Sequence, residues 1–193
     1  SARSSASIVP FYQWRRFGNK PYAETKGVRF EGSYRVTPRW QAASAIEYGN
    51  SQYKERDFLD GRYLFSSLTA YYAVNPKTTI FFGIDELRDK TNAAEESSLR
   101  VGGRFGIVQD LPLNISTQLR FSYARRLFDD APNLFGIRRD DREYGATLTL
   151  WNRRWSCRRL VPKLNFDCQR THSNIGLYSF DKNRVYLTLD QKF

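Results

Sequence analysis

The period of the hydrophobic pattern constrains this chain most. Stretch after stretch alternates apolar and polar residues two by two, and no run of useful length repeats at the 3.6 residues of a helix. The longest clean case sets Leu113, Ile115, Thr117, Leu119, Phe121 and Tyr123 against Asn114, Ser116, Gln118, Arg120 and Ser122. On a strand, that alternation puts one set of side chains on each face. The C-terminus repeats it: Val185, Leu187 and Leu189 alternate with Tyr186, Thr188 and Asp190, and the chain stops on Phe193 in the apolar phase.

The breaks between these stretches alternate too. Polar loops are expected at residues 18–26, 54–61, 89–97, 126–140 and 170–180, and tight turns at 37–39, 75–77, 110–112 and 152–154. Between them lie about ten strands of ~10–13 residues, the layout of an antiparallel transmembrane β-barrel of the outer membrane. Pro10 interrupts the first strand-like run. An even strand number brings both termini to the short-turn side, expected to be periplasmic, with residues 1–193 as one barrel domain or part of a larger barrel.

A soluble sandwich would alternate as well, but its strands typically run ~5–6 residues. The polar positions here also carry Arg29, Arg35, Arg100, Arg104, Arg120 and Arg184. These fit a wet lumen, where they would form a basic path or, with Glu31 and Glu143, ion-pair ladders bracing the wall. Val185, Leu187, Leu189 and Phe193 would face lipid and serve as an assembly signal. Tyr34, Trp40, Tyr48, Tyr72, Tyr123 and Trp151 lie near strand ends, where interfacial aromatic girdles belong.

Composition matters at three points. Lys and Arg outnumber Asp and Glu by 31 to 20, but the basic residues stand singly between apolar ones, which is no nucleic-acid patch. No stretch approaches the ~20 apolar residues of a membrane helix, and no signal peptide opens the sequence, as expected of a mature chain or a fragment. Cys157 and Cys168 are 11 residues apart. On one strand they would lie ~36 Å apart, far beyond the ~7 Å a disulfide allows, so free thiols are expected.

His172, Ser173 and Asn174 are the candidate hydrolase residues. A Ser–His pair must share a proton, whereas neighbours on a strand point apart. No catalytic or cofactor site is therefore expected. The glycines of 102–106 sit inside a strand, where they ease curvature or give room in the lumen.

From Arg138 onward the residues resemble one family. Arg-Asp-Asp-Arg-Glu-Tyr-Gly at 139–145, Trp155, Pro162 and Leu164 in a "Pro-x-Leu" strand, Ser173-Asn174-Ile175 and a closing Asn183-Arg184-Val185 strand are similar to the end of the barrel domain of surface lipoprotein assembly modifiers (Slam). Residues 11–18 are compatible with an earlier strand of that domain. The resemblance implies an outer-membrane translocator that helps lipoproteins or related secreted proteins reach the cell surface. It also implies a barrel of about fourteen strands coupled to a periplasmic tetratricopeptide-repeat domain. Neither the repeat domain nor the further strands are seen here. Expected partners are outer-membrane lipids and lipopolysaccharide, a client lipoprotein or secreted protein, the barrel assembly machinery and a separate periplasmic repeat domain. The alternatives are a porin-type channel with an anion-favouring lumen and, further off, an outer-membrane lipid hydrolase.

Overall fold

The computed structural model describes residues 3–132, 134–155 and 160–191; Cys157 and Phe193 lie outside them. Ten strands run β1 Ser4–Phe17, β2 Lys20–Arg35, β3 Trp40–Tyr53, β4 Gly61–Asn75, β5 Thr78–Thr91, β6 Ser98–Asp110, β7 Ile115–Phe128, β8 Asp140–Asn152, β9 Leu160–Ser173 and β10 Phe180–Gln191. Each pairs antiparallel with the next, giving one sheet in order β1 to β10. Among the described residues β1 and β10 are its two edges.

The alternation determines which face is which. The outward face carries Ile8, Phe30, Ile46, Leu68, Phe82, Phe105, Phe121, Phe166, Val185 and Leu187, all exposed. A sheet of exposed Ile, Leu, Phe and Val on one side and paired charges on the other is built for lipid outside and water inside. This is the wall of a transmembrane β-barrel. The sheet is strongly curved, for inner side chains meet across an intervening strand: Arg100 of β6 reaches Glu143 of β8, and Arg104 of β6 reaches Thr69 of β4.

Aromatic residues border the outward belt at both ends. Trp40 and Tyr72 pack 4.7 Å apart near the chain termini, beside Tyr34. Tyr123 and Tyr144 pack 5.2 Å apart toward the other end. Trp151 departs from the expected girdle. Its parity on β8 is opposite to that of Tyr144 and Leu148, so it faces inward, where the Lys163 ammonium sits 5.2 Å from its ring.

Several boundaries differ from the alternating plan. The expected loop over 18–26 is a two-residue turn, Gly18-Asn19. Gly18 takes φ +59°, the left-handed region that suits glycine, and β2 begins at Lys20. The register shift between Arg15 and Arg16 leaves Tyr22 as the extra residue and seats Pro21 opposite Arg16. Pro10 does not interrupt β1, because an edge strand tolerates a missing N–H. Leu113 belongs to the turn before β7, with φ +59°. At the turn expected over 152–154, β8 ends at Asn152 and β9 begins at Leu160, with 156–159 outside the described residues. Elsewhere the tight turns stand: the Asn75 Oδ1 accepts the Lys77 N–H at 2.9 Å, and the Thr37 Oγ1 accepts the Trp40 N–H at 3.0 Å.

Candidate functional site

The inner face of β4–β8 holds the densest polar network. The carboxylate of Asp85 accepts Arg100 Nη1 at 2.5 Å and Arg104 Nη1 at 3.4 Å. Arg100 Nε donates to Glu143 at 2.7 Å, and Arg126 Nε donates to the other Glu143 oxygen at 2.9 Å. Arg104 Nη2 then donates to Thr69 at 2.7 Å. Strand spacing puts these residues within reach, and small residues leave them room. A Cβ on Gly102 would lie 3.0 Å from the Ala124 Cβ and 3.1 Å from the Asp85 Oδ2, so glycine there admits the carboxylate that Arg100 needs.

Two further clusters repeat the arrangement. On β2–β4, Arg29 donates to Glu31 at 2.6 Å and to Glu47 at 3.2 Å, and the Tyr63 hydroxyl donates to Glu47 at 2.7 Å. Tyr63 lies over Gly49, where a Cβ would meet its ring at 2.5 Å. On β7–β10, Arg120 donates to the Thr147 hydroxyl, which donates to Asp167, which also accepts from Arg184. Of the six arginines expected to face the lumen, the structure therefore gives Arg29, Arg100, Arg104, Arg120 and Arg184 hydrogen-bond partners on the wall. Arg35 lies at the turn end of β2, its backbone N–H bonded to Arg3.

A knot of loops closes over β5–β10 at the end away from the termini. Arg139 lies between the Phe128 ring at 4.3 Å and the Tyr178 ring at 3.9 Å. Its guanidinium grips Asp141 with two hydrogen bonds, and Asp141 is 1% exposed. Asn174 ties the neighbouring loop in: its Oδ1 accepts the Asp140 N–H and its Nδ2 donates to the Arg138 carbonyl, both at 2.8 Å. Arg88 bridges to Asp129. Burial pushes the Glu96 carboxyl above its ordinary range, while Arg139 pulls it the other way. Beneath this knot lies a cavity of about 410 Å³ lined by Tyr63, Asp89, Arg126, Asp141, Glu143 and Thr171.

The other expected residues have separate surroundings. His172 faces outward with its ring 6.5 Å from Tyr144, whereas the Ser173 Oγ accepts the Ile175 N–H; the two stand back to back rather than as a pair. Pro162 and Leu164 face outward against Leu189 and Leu187 of β10. The β8–β9 register stops at Lys163, so the missing N–H of Pro162 breaks no ladder on that side. Cys168 is a free, exposed thiol. Among the described residues no group of three or more His, Cys, Asp or Glu could hold a metal ion. Sequence reasoning missed the Arg139–Asp141–Tyr178 knot. Its signals were Arg139-Asp140-Asp141 beside the longest break and Ser173-Asn174 in the family-like motif.

Comparison with known proteins identifies relatives of this chain. The family described as surface lipoprotein assembly modifier matches residues 1–193. A surface lipoprotein assembly modifier of Haemophilus influenzae strain 86-028NP is 38% identical over 203 residues, covering all of this chain and 41% of the relative. Surface lipoprotein assembly modifier 1 of Neisseria meningitidis serogroup B is 28% identical over 197 residues, covering 99% of the chain and 40% of the relative. The chain thus spans about two fifths of the length of the curated relatives it matches. Among solved structures, the ferric citrate transporter FecA in its unliganded form is matched over 97% of this chain and 36% of that one, at 10% identity and a TM-score of 0.37.

Proposed function

The chain belongs to the surface lipoprotein assembly modifier family, and from that premise we propose that it forms wall of an outer-membrane translocator that delivers lipoproteins to the cell surface. The match over all 193 residues carries this reading. Residues 1–193 are read as barrel wall, with the long loops at the surface and the start of β1 and the end of β10 toward the periplasm.

The inner face supports passage of a polypeptide better than capture of an anion. A selective anion channel needs free guanidinium groups, and five of the six arginines expected to line the lumen already bond to carboxylates or hydroxyls of the wall. Paired charges give a polar surface that offers a moving chain many weak hydrogen bonds and no deep electrostatic trap. No cofactor has a role in this scheme; folding or capture of the client outside the cell makes transfer directional. The barrel assembly machinery would insert the wall, and a periplasmic repeat domain would present the client.

The test is surface display. Delete the gene and shave intact cells with protease, then identify the lipoproteins that lose exposure. Loss of a defined client, restored by the intact gene and not by one lacking β10, is the expected result. Unchanged exposure of every outer-membrane lipoprotein would rule out the translocator.

A further inference from the structure

Above the outward apolar belt, at the long-loop end, the cations fall into two kinds. Arg125 donates three hydrogen bonds to Asp140, Arg170 two to Asp181, and Arg88 of β5 bridges to Asp129; Arg142 of β8, opposite Arg125, is exposed and without a salt bridge among the described residues. On β2–β5 the unpaired cations form a row. Lys26, Asn50, Arg62 and Lys90 stand opposite one another in register across four strands. Lys26, Arg62 and Lys90 are exposed, and among the described residues none of the three makes a salt bridge. Adjacent strands lie ~4.8 Å apart, so the row is roughly 14 Å long.

Position turns this row into a site. Two residues along β2, β3 and β4 toward the middle of the wall lie Val28, Tyr48 and Leu64, the rim of the belt that meets hydrocarbon. Asn50, Arg62, Lys90 and Asn92 border a depression of about 430 Å³. Asp60 also borders it, and its Oδ1 accepts the Tyr53 N–H at 2.6 Å. Three cations without a salt bridge and two side-chain amides, one step beyond the acyl-chain zone, fit an anionic sugar headgroup anchored by acyl chains. Arg engages a phosphate with its fork of donors and Lys as a point charge.

We propose that the Lys26–Asn50–Arg62–Lys90 row binds the phosphorylated glycolipid headgroup of lipopolysaccharide, holding this part of the wall at a fixed depth in the surface leaflet. The proposal rests on the orientation given above, with the long loops outward.

The test uses the full-length protein in phosphatidylethanolamine nanodiscs, titrated with three probes: lipid A bearing two phosphates, the same lipid A dephosphorylated, and phosphatidylglycerol. The variant Lys26→Gln/Arg62→Gln/Lys90→Gln is expected to bind lipid A at least tenfold more weakly than the parent. Dephosphorylated lipid A should bind the parent as weakly as lipid A binds the variant. The control Arg125→Gln/Arg170→Gln should stay within twofold. Lys26→Arg/Lys90→Arg should keep the binding, which separates loss of charge from loss of fold. Unchanged affinity in the triple variant overturns the site, and phosphatidylglycerol binding as tightly as lipid A overturns the glycolipid as its occupant. An epitope inserted between Gly18 and Asn19 should be reached by antibody on intact cells. If it is not, the leaflet assignment falls, while the translocator reading is still judged by surface display of the client.

Discussion

Glu143 and Glu31 both receive an arginine on the inner face, yet they belong to different kinds of wall. Glu143 lies on β8, its side chain 15% exposed, and is shared by Arg100 and Arg126 from two different strands. Glu31 lies near the β1 edge, 47% exposed, and has Arg29 two residues away on its own strand. The residue types are the same, and what differs is how much solvent competes for them. A half-buried carboxylate held by two guanidiniums cross-links strands. An exposed pair along one strand contributes little, because water and salt serve both partners nearly as well. The wall is therefore braced from β4 to β8 and looser toward β1.

The largest break in that contrast should come from the loop knot. Asp141→Ala leaves Arg139 without its buried carboxylate, and loss of one partner of a buried pair typically costs about 3–5 kcal/mol. The expected result is a lowered midpoint in heat-modified gel mobility, with early trypsin cleavage at the loop that follows β7. A parental midpoint would show that the rings of Phe128 and Tyr178 hold Arg139 alone. Next comes Glu143→Gln, which leaves two guanidiniums facing a neutral amide; a loss of about 1.5–3 kcal/mol follows for hydrogen bonds to charged groups, read as a shift in urea midpoint in lipid vesicles. Glu31→Gln in the same assay should change stability by about 0.5 kcal/mol or less. Equal effects of the two substitutions would end the distinction between the shared and the single-strand carboxylate.

The smallest effect concerns pH. Burial raises the Glu96 carboxyl above its ordinary range in the folded knot. The folded state therefore holds the proton more tightly than the unfolded one. The protonated form's advantage is full below the ordinary glutamate range near ~4.3 and is lost as pH rises through the raised value. Glu96→Gln should flatten that part of the stability–pH curve and leave the neutral-pH midpoint unchanged or slightly higher. A curve identical to the parent's would show that Arg139 fully offsets the burial.

The ten strands could be read from the sequence because lipid on one side and water on the other impose the period of two on every stretch. The ion pairs Arg29–Glu31 and Arg100–Glu143 were open to the same logic, since opposite charges shared the inner parity. Trp151 shows the cost of relaxing it: nearness to a strand end suggested a girdle, while parity already placed the ring inside. The two-residue turn at Gly18 was hidden because Lys20–Lys26 is polar on both faces, and only pairing with β1 and β3 makes it strand. The Arg139 knot and the Lys26–Lys90 row depend on loop path and strand offset, which no local pattern encodes.

The meander order has a kinetic consequence. Every ladder in this sheet joins strands adjacent in sequence, so each pairing closes a short stretch of chain and carries a small closure entropy. Among the described strands none pairs with a partner distant in sequence. A sheet dominated by such near-neighbour pairings is expected to zip hairpin by hairpin rather than search for long-range contacts. A growing wall then exposes just one unpaired strand edge at each flank as it assembles.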